Sequence, residues 1–302
     1  MPGLEGGSIV RRSVTDGSLP IWMALLATLG WMLFVGLLAG CQNSTGATAV
    51  PPTSSPVPVP SPPSTWWKPE PGLTWQWQLT GRLNLDLYTD VVDIDLSVGK
   101  SVVEHYHRRG TRVICYMSVG SYENWRPDKD RFPKAVIGKA YEGWSGEWWL
   151  DIRRIDLLGP IMQARLDLCA SKGFDAVEPD NIMVYTEDTG FPISYEDNIR
   201  YARWLAQEAH KRGLAIGLKN GPEMVDDLVE VMDFAITEEA FYYDFAEDFL
   251  PFLQAGKAVF NAEYTDTDVD WEEACRRSRE LGFSTILKHR DLDAWVRFCD
   301  GS

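Results

Sequence analysis

Acidic side chains stand at the ends of the short apolar runs that we predict to be β-strands. They are Asp93, Asp95, Asp151, Glu178, Asp180, Glu238, Glu239 and Glu263. Any one of these carboxylates could simply cap the helix that follows, but together they favour chemistry carried out by carboxyl groups. Glycoside hydrolysis requires little else, because one carboxyl attacks the sugar or activates water while the other protonates the leaving oxygen.

Other chemistries find fewer suitable residues in the sequence. Three of the four histidines, His105, His107 and His210, fall in the last turns of predicted helices, which leaves His289 alone at a strand end. This distribution weakens a zinc site or a histidine-based triad. The sequence also has neither a Gly-x-Ser-x-Gly elbow nor a phosphate-binding loop. We therefore expect neither a metal nor a cofactor.

A polar helical stretch that closes on glycine and leads into a short buried strand recurs five times. The glycines are Gly110, Gly173, Gly213, Gly256 and Gly282. Glycine suits the left-handed cap that ends a helix, and the repeated unit is typical of a parallel sheet wrapped by helices. In a barrel of this kind the reactive residues lie where the strands end, and the carboxylates stand at those positions.

Nine runs qualify as strands. They are Trp75–Leu79, Val91–Asp95, Val113–Ser118, Trp148–Ile152, Ala176–Asn181, Ala215–Asn220, Phe234–Thr237, Ala258–Tyr264 and Ser284–His289. We predict a (β/α)8 barrel of the TIM type, which needs eight strands, so one run should be an extra or hairpin strand. A doubly wound sheet is less favoured because no Gly-x-Gly-x-x-Gly loop follows the first strand.

Several motifs follow one another along residues 66 to 302. They include WQWQL at 75–79, DIDL at 93–96, VICYMSVGSYENWRPD at 113–128, WWLDIR at 148–153, GFDAVEPDN at 173–181, GLKN at 217–220, and Glu238-Glu239 before aromatic residues. Together they resemble glycoside hydrolase family 114, the endo-α-1,4-polygalactosaminidases. The resemblance implies a barrel enzyme that cleaves α-1,4-linked galactosamine in a polysaccharide.

Carried over residue by residue, the resemblance makes Asp180 the nucleophile and Glu238 the general acid/base of a retaining cleavage, although these two roles could be exchanged. The residues expected to bind substrate are Asp95, Tyr116, Trp125, Asp151, Asn181, Lys219, Glu239, Tyr242 and Glu263. Strand alternation leaves the choice of glutamate open. If Phe234 and Ile236 face outward, Glu239 rather than Glu238 points into the barrel.

The net charge limits the partners. Carboxylates outnumber Lys and Arg by 44 to 29, which gives a net charge of −15. An acidic surface repels phosphate backbones, so we expect no nucleic acid partner. It attracts cations, which agrees with a cationic or partly acetylated galactosamine polysaccharide, although an acidic surface also serves solubility alone.

The N-terminal region predicts export and a lipid anchor. Arg11 and Arg12 precede an uncharged apolar run whose end, Leu38-Ala39-Gly40-Cys41, resembles the lipobox of bacterial lipoproteins. We predict a signal peptide over residues 1–41 and lipidation of Cys41, which gives an exported lipoprotein anchored in the membrane at the cell surface or periplasmic side. A plain transmembrane anchor is the alternative, because the apolar run is long enough to span a bilayer.

The remaining chain divides into a tether and a folded domain. Residues 42–65 contain seven prolines and nine Ser or Thr without a charge, a composition that predicts a disordered linker. Residues 66–302 are predicted to form the barrel domain, as a monomer. The four cysteines of this domain can pair in three ways; they are Cys115, Cys169, Cys275 and Cys299.

Two other functions stay open from the sequence. A sugar-binding lipoprotein would keep the barrel without turnover, although the retained acid pair argues against it. An enzyme of different specificity, α-galactosidase-like or deacetylating, is the second, and the scarcity of histidines at strand ends counts against a metal-dependent deacetylase. Product release from a galactosamine polymer and sensitivity to chelation would separate these functions.

Overall fold

Residues 65–299, the part of the chain described by this computed structural model, form twelve strands and six α-helices. The strands are β1 (Trp75–Gln78), β2 (Val91–Asp95), β3 (Arg112–Ser118), β4 (Ser121–Glu123), β5 (Ile137–Ala140), β6 (Glu147–Leu150), β7 (Ala176–Asp180), β8 (Ala215–Lys219), β9 (Phe234–Glu238), β10 (Val259–Tyr264), β11 (Ser284–Lys288) and β12 (Arg297–Phe298). The helices are α1 (Lys100–Arg108), α2 (Ile155–Lys172), α3 (Tyr195–His210), α4 (Val225–Leu228), α5 (Leu250–Gln254) and α6 (Trp271–Leu281). The predicted signal peptide, Cys41 and all of the predicted linker except its last residue lie outside the described residues.

Eight strands run parallel in the order β1-β2-β3-β7-β8-β9-β10-β11, and β12 adds antiparallel to β11. The sheet curls until its two edges meet. There Trp75 Nε1 donates to the carbonyl of Ser284 at 2.8 Å, and Lys288 Nζ donates to Gln76 Oε1 at 2.9 Å. The predicted TIM-type barrel is confirmed, with apolar helix faces packed on its outside.

The extra strand is the run predicted at Trp148–Ile152. Its residues form β6, the central strand of a separate antiparallel sheet of order β4-β6-β5. This sheet lies in the long connection between β3 and α2, on the side of the barrel where the parallel strands end.

Alternation along the strands separates an inner core from an outer one. Trp75, Trp77 and Phe234 are among the buried side chains that fill the barrel, whereas Val177 and Leu218 pack on the outside. Two disulfides join further elements: Cys115–Cys169 connects β3 to α2, and Cys275–Cys299 connects α6 to the segment after β12.

The apolar stripe of Ile199, Ala202, Leu205 and Ala209 predicts a helix that starts at Asn198, and helix α3 begins three residues earlier, at Tyr195. The reason is a capping box, in which Ser194 Oγ accepts from the backbone N–H of Asp197 and the Asp197 carboxylate accepts from the Ser194 N–H, each at 3.1 Å. These bonds satisfy N–H groups that have no partner inside the helix.

Within residues 65–299 no helix combines the length and the apolarity needed to cross a bilayer.

Candidate active site

A cleft of about 580 Å³ opens at the end of the barrel where the parallel strands terminate. Side chains from seven barrel strands line it; they are Trp77 of β1, Asp95 of β2, Tyr116 of β3, Asp180 of β7, Lys219 of β8, Glu238 of β9 and Tyr264 of β10. The strand ends therefore bring together residues that are far apart in the sequence, as a parallel barrel requires.

Three neighbouring strands leave the barrel through the same backbone conformation. The residues that follow β7, β8 and β9 are Asn181, Asn220 and Glu239, with φ of 57°, 50° and 57°. Asparagine tolerates this left-handed region, whereas a glutamate enters it seldom. The turn after β9 thus stores backbone strain beside the cleft.

Glu238, and not Glu239, points into the cleft. The premise that Phe234 and Ile236 face outward is wrong, because both belong to the apolar core inside the barrel. Glu238 lies on the same face of β9 as these two residues. Glu239 turns away, and its Oε1 accepts a hydrogen bond from Arg290 Nη2 at 2.7 Å.

Lys219 joins the two carboxylates that the sequence predicts to be catalytic. Its Nζ donates to Asp180 Oδ1 at 3.0 Å and lies 3.1 Å from Glu238 Oε2. Below these groups it donates to Glu178 Oε1 at 2.8 Å, and it lies 4.5 Å from the centre of the Trp77 ring. Burial disfavours the ammonium charge, but the carboxylates outweigh burial and raise the pKa of Lys219 well above its usual value. The side chain is therefore a fixed positive charge.

Asp180 is held as an ionised carboxylate. Burial favours its neutral form, but the Lys219 ammonium and a hydrogen bond donated by Tyr116 Oη at 2.8 Å lower the pKa of Asp180 overall. The side-chain amide of Asn181 does not donate to Asp180, because it is directed to Ser118 Oγ at 3.1 Å. An ionised, immobilised carboxylate can attack an electrophilic carbon.

Tyr264 and Asn220 fix the orientation of Glu238. Tyr264 Oη donates a short hydrogen bond to Oε1, and Asn220 Nδ2 donates to Oε2 at 3.3 Å. Burial, together with the Glu238 charge, raises the pKa of Tyr264 well above its usual value, so the phenol stays a donor. Tyr264 is not among the site residues predicted from the sequence, although it lies on the inner face of β10 with Phe260 and Ala262.

Aromatic rings form one wall of the cleft. Trp125 and Trp144 are 53% and 57% exposed, and Tyr141 and Trp149 continue the same wall. The small antiparallel sheet supplies Trp149, whose ring centre lies 4.0 Å from that of Tyr141. Flat apolar surfaces of this kind suit the faces of sugar rings.

Further carboxylates line the cleft, among them Asp95 and Glu147. Asp95 accepts hydrogen bonds from the buried Arg126 at 2.9 and 2.8 Å. Glu147 is not among the site residues predicted from the sequence. It accepts a hydrogen bond from Ser121 Oγ at 2.6 Å, and burial raises the pKa of Glu147 to about 7. The cleft is therefore acidic beyond the central pair.

Of the residues predicted to bind substrate, Asp95, Tyr116, Trp125, Asn181 and Lys219 line the cleft. Asp151 does not, because it follows a strand of the small sheet rather than a barrel strand; it pairs with Arg153 at 2.7 and 2.8 Å. Glu263 lies on the outer face of β10, where its Oε1 accepts from the N–H of Phe241 at 2.9 Å. Tyr242 lines a separate surface groove, and Glu239 faces Arg290.

Known proteins share the fold of this barrel. The family model of glycoside hydrolase family GH114 matches residues 57–302. The chain belongs to this family. The crystal structure of Aspergillus fumigatus Ega3 in complex with galactosamine is 36% identical and has a TM-score of 0.72, covering 78% of this chain and 98% of that one. The GH114 chain is thus a glycoside hydrolase.

Two more distant relatives of this GH114 chain extend the comparison. The glycoside hydrolase domain of PelA from Pseudomonas aeruginosa is 15% identical with a TM-score of 0.60, covering 75% of this chain and 98% of that domain, and it shares the fold. A protein of Deinococcus radiodurans is 26% identical over 88% of this chain and 96% of its own length.

Proposed function

We propose that this GH114 enzyme cleaves α-1,4-linked galactosamine polysaccharide at internal bonds of the polymer, with retention of configuration. The observation that carries the proposal is the placement of Asp180 and Glu238 on a single ammonium group at the reactive end of the barrel. The substrate class is supported by the galactosamine complex of the 36% identical Ega3. The net charge of −15 would attract the ammonium groups of a deacetylated polymer.

The spacing of the two carboxylates supports retention. Asp180 Oδ1 and Glu238 Oε2 lie 3.0 and 3.1 Å from Lys219 Nζ. These two oxygen atoms therefore cannot be more than about 6 Å apart. Retaining glycosidases place their carboxyl groups roughly 5 to 5.5 Å apart, and inverting enzymes begin at roughly 6.5 Å. A water molecule between the two groups would need the larger spacing.

In the proposed mechanism the reactive form of the enzyme carries a proton on Glu238. Asp180 attacks the anomeric carbon while Glu238 donates this proton to the leaving oxygen, which leaves a glycosyl ester on Asp180. Glu238 then takes a proton from the water that attacks this ester, and the sugar is released with its original configuration. Lys219 keeps Asp180 ionised. The exposed rings of Trp125 and Trp144 would hold sugars beyond the cleaved bond, which suits cleavage inside a polymer.

Defined galactosamine oligomers test this proposal. Mass spectrometry of a digest should show internal cleavage, and proton NMR of the first products should show the α-anomer before mutarotation. Oligomers with different degrees of acetylation would report how far the acidic cleft depends on free ammonium groups. Release of single sugars only, or of the β-anomer first, would contradict endo cleavage or retention respectively.

We further propose that the protein is exported and anchored through a lipid on Cys41, with the linker carrying the barrel away from the membrane. The support is the Leu38-Ala39-Gly40-Cys41 sequence and the proline-rich segment after it. Cys41→Ser should release the protein from the membrane fraction. If the variant fractionates like the parent with an intact N-terminus, a transmembrane anchor is the better explanation.

A further inference from the structure

A second layer of carboxyl groups lies inside the barrel beneath the cleft. Asp93 of β2 and Glu178 of β7 are fully buried there, on the inward faces of their strands. Lys219 of β8 contacts this pair through Glu178. The other charged and titratable groups nearby are Tyr116 of β3, Asp180 of β7, Glu238 of β9 and Tyr264 of β10. Neither Asp93 nor Glu178 lines the cleft, so neither is placed to touch a sugar.

The hydrogen bonds of this pair require a proton. Lys219 Nζ donates to Glu178 Oε1 at 2.8 Å. Within residues 65–299, Glu178 Oε2 and both oxygens of Asp93 receive no hydrogen bond from an N–H or a hydroxyl group. A buried carboxylate oxygen without a donor is costly. Because the Glu178 charge acts on the buried Asp93 carboxyl group, one proton between them would join an Asp93 oxygen to Glu178 Oε2 and remove one of the two buried charges.

The surroundings decide which carboxyl holds the proton. Burial, together with the neighbouring Glu178 charge, raises the pKa of Asp93 well above its usual value. Burial also raises the pKa of Glu178, but the Lys219 ammonium works against burial and the pKa reaches only about 7. Above neutral pH the proton therefore stays on Asp93, and Glu178 carries the charge that faces Lys219.

We propose that Asp93 is a protonated acid that donates its hydrogen to Glu178. Held in this way, Glu178 is a positioning residue that fixes Lys219 Nζ between the two cleft carboxylates. Without the hydrogen bond to Glu178, the Lys219 ammonium group would lose its partner on the barrel side. Its flexible side chain could then move towards either Asp180 or Glu238. This role rests on the proposed function, in which the spacing of that pair sets the course of the reaction.

Two substitutions of Asp93 test this role. Asp93→Asn keeps an N–H donor in place of the acid O–H, whereas Asp93→Leu keeps only the approximate size. Small displacements of catalytic groups cost on the order of 100-fold in rate, so the Leu variant should lose about that much in kcat, with KM little changed and an altered pH–rate profile. The Asn variant should restore most of the loss and the profile.

Glu263→Leu is the matched control, because it removes another buried carboxyl group from the outer face of β10. It should lower the unfolding temperature and leave the pH–rate profile in place. The proposal fails if Asp93→Asn loses as much activity as Asp93→Leu, or if Glu263→Leu alters the profile in the same way as Asp93→Leu.

Infrared spectroscopy tests the proton without turnover. At about pH 9, above the pKa of about 7 of Glu147 and Glu263, the parent should still show the C=O band of a protonated carboxylic acid, and Asp93→Asn should lack it. Absence of the band in the parent would overturn the proposal whether or not the polymer is cleaved. A parent that shows the band but releases no product would instead contradict the proposed function and leave the proton on Asp93.

Discussion

Removal of the Lys219 ammonium should destabilise the fold in a pH-dependent way. The side chain is 4% exposed, and its Nζ lies 2.8, 3.0 and 3.1 Å from Glu178, Asp180 and Glu238. Lys219→Met keeps most of the stem volume but leaves these carboxylates without their counter-charge. Removing one partner of a buried ion pair costs about 3–5 kcal/mol, so the free energy of unfolding at about pH 8 should fall by that amount.

Acidification should reverse this loss, because the carboxyl groups of the variant take up protons that the parent does not bind. Each extra proton on the folded variant recovers about 1.4 kcal/mol per pH unit. Over roughly three units, from about pH 8 to about pH 5, one extra proton therefore recovers about 4 kcal/mol and removes most of the defect. Guanidinium unfolding followed by tryptophan fluorescence at both pH values measures the difference.

Lys288→Met is the matched control for this experiment. Lys288 is equally buried, but its Nζ donates to the Gln76 amide oxygen and to the carbonyls of Asp293 and Trp295. Burial lowers the pKa of Lys288 to about 8. A lysine whose pKa is lowered in the folded state makes the free energy of unfolding depend on pH only above that pKa. The control should therefore lose nearly the same free energy of unfolding at both pH values. A pH-independent loss in Lys219→Met, or a loss below about 1 kcal/mol, would refute the proposed charge balance.

Two further substitutions have defined outcomes. Burial raises the pKa of Glu263 from 4.5 to about 7, so the folded protein binds this proton more tightly and stability should fall by about 3 kcal/mol as the pH rises between these values. Glu263→Gln should lack that part of the fall in thermal unfolding, and an unchanged slope would contradict it. Trp125→Ala should raise KM for the polymer several-fold with kcat little changed, since its exposed ring lies in the cleft wall; a fall in kcat alone would contradict stacking.

The barrel could be predicted from the sequence because its signals are local. Each helix-glycine-strand unit contains its own end signal, and strand ends in a parallel barrel meet at one face. The run at Trp148–Ile152 looks equally like a strand, but its partners β4 and β5 are three and four residues long. Such short partners give too little sequence pattern to show that the run belongs to another sheet, and Asp151 was misplaced for that reason.

The orientation of side chains on β9 and β10 could not be predicted from the sequence. Both faces of a barrel strand are buried, so apolar residues alternate with apolar residues and the pattern does not distinguish inside from outside. Phe234 and Ile236 fill the barrel, which brings Glu238 to the cleft, while Glu263 packs outside it. The contacts of Lys219 with Glu178, Asp180 and Glu238 could not be predicted from the sequence either, because they depend on distances between neighbouring strands.

A comparison of Glu238→Gln with Glu239→Gln tests the central claim most directly. The two adjacent glutamates have different partners, because Glu238 faces Lys219 in the cleft and Glu239 pairs with Arg290. With a deacetylated galactosamine oligomer as substrate and product formation followed by mass spectrometry, Glu238→Gln and the companion Asp180→Asn should each lose several orders of magnitude in kcat while remaining folded. Glu239→Gln should still cleave the oligomer. An active Glu238→Gln beside an inactive Glu239→Gln would contradict the assignment of the acid.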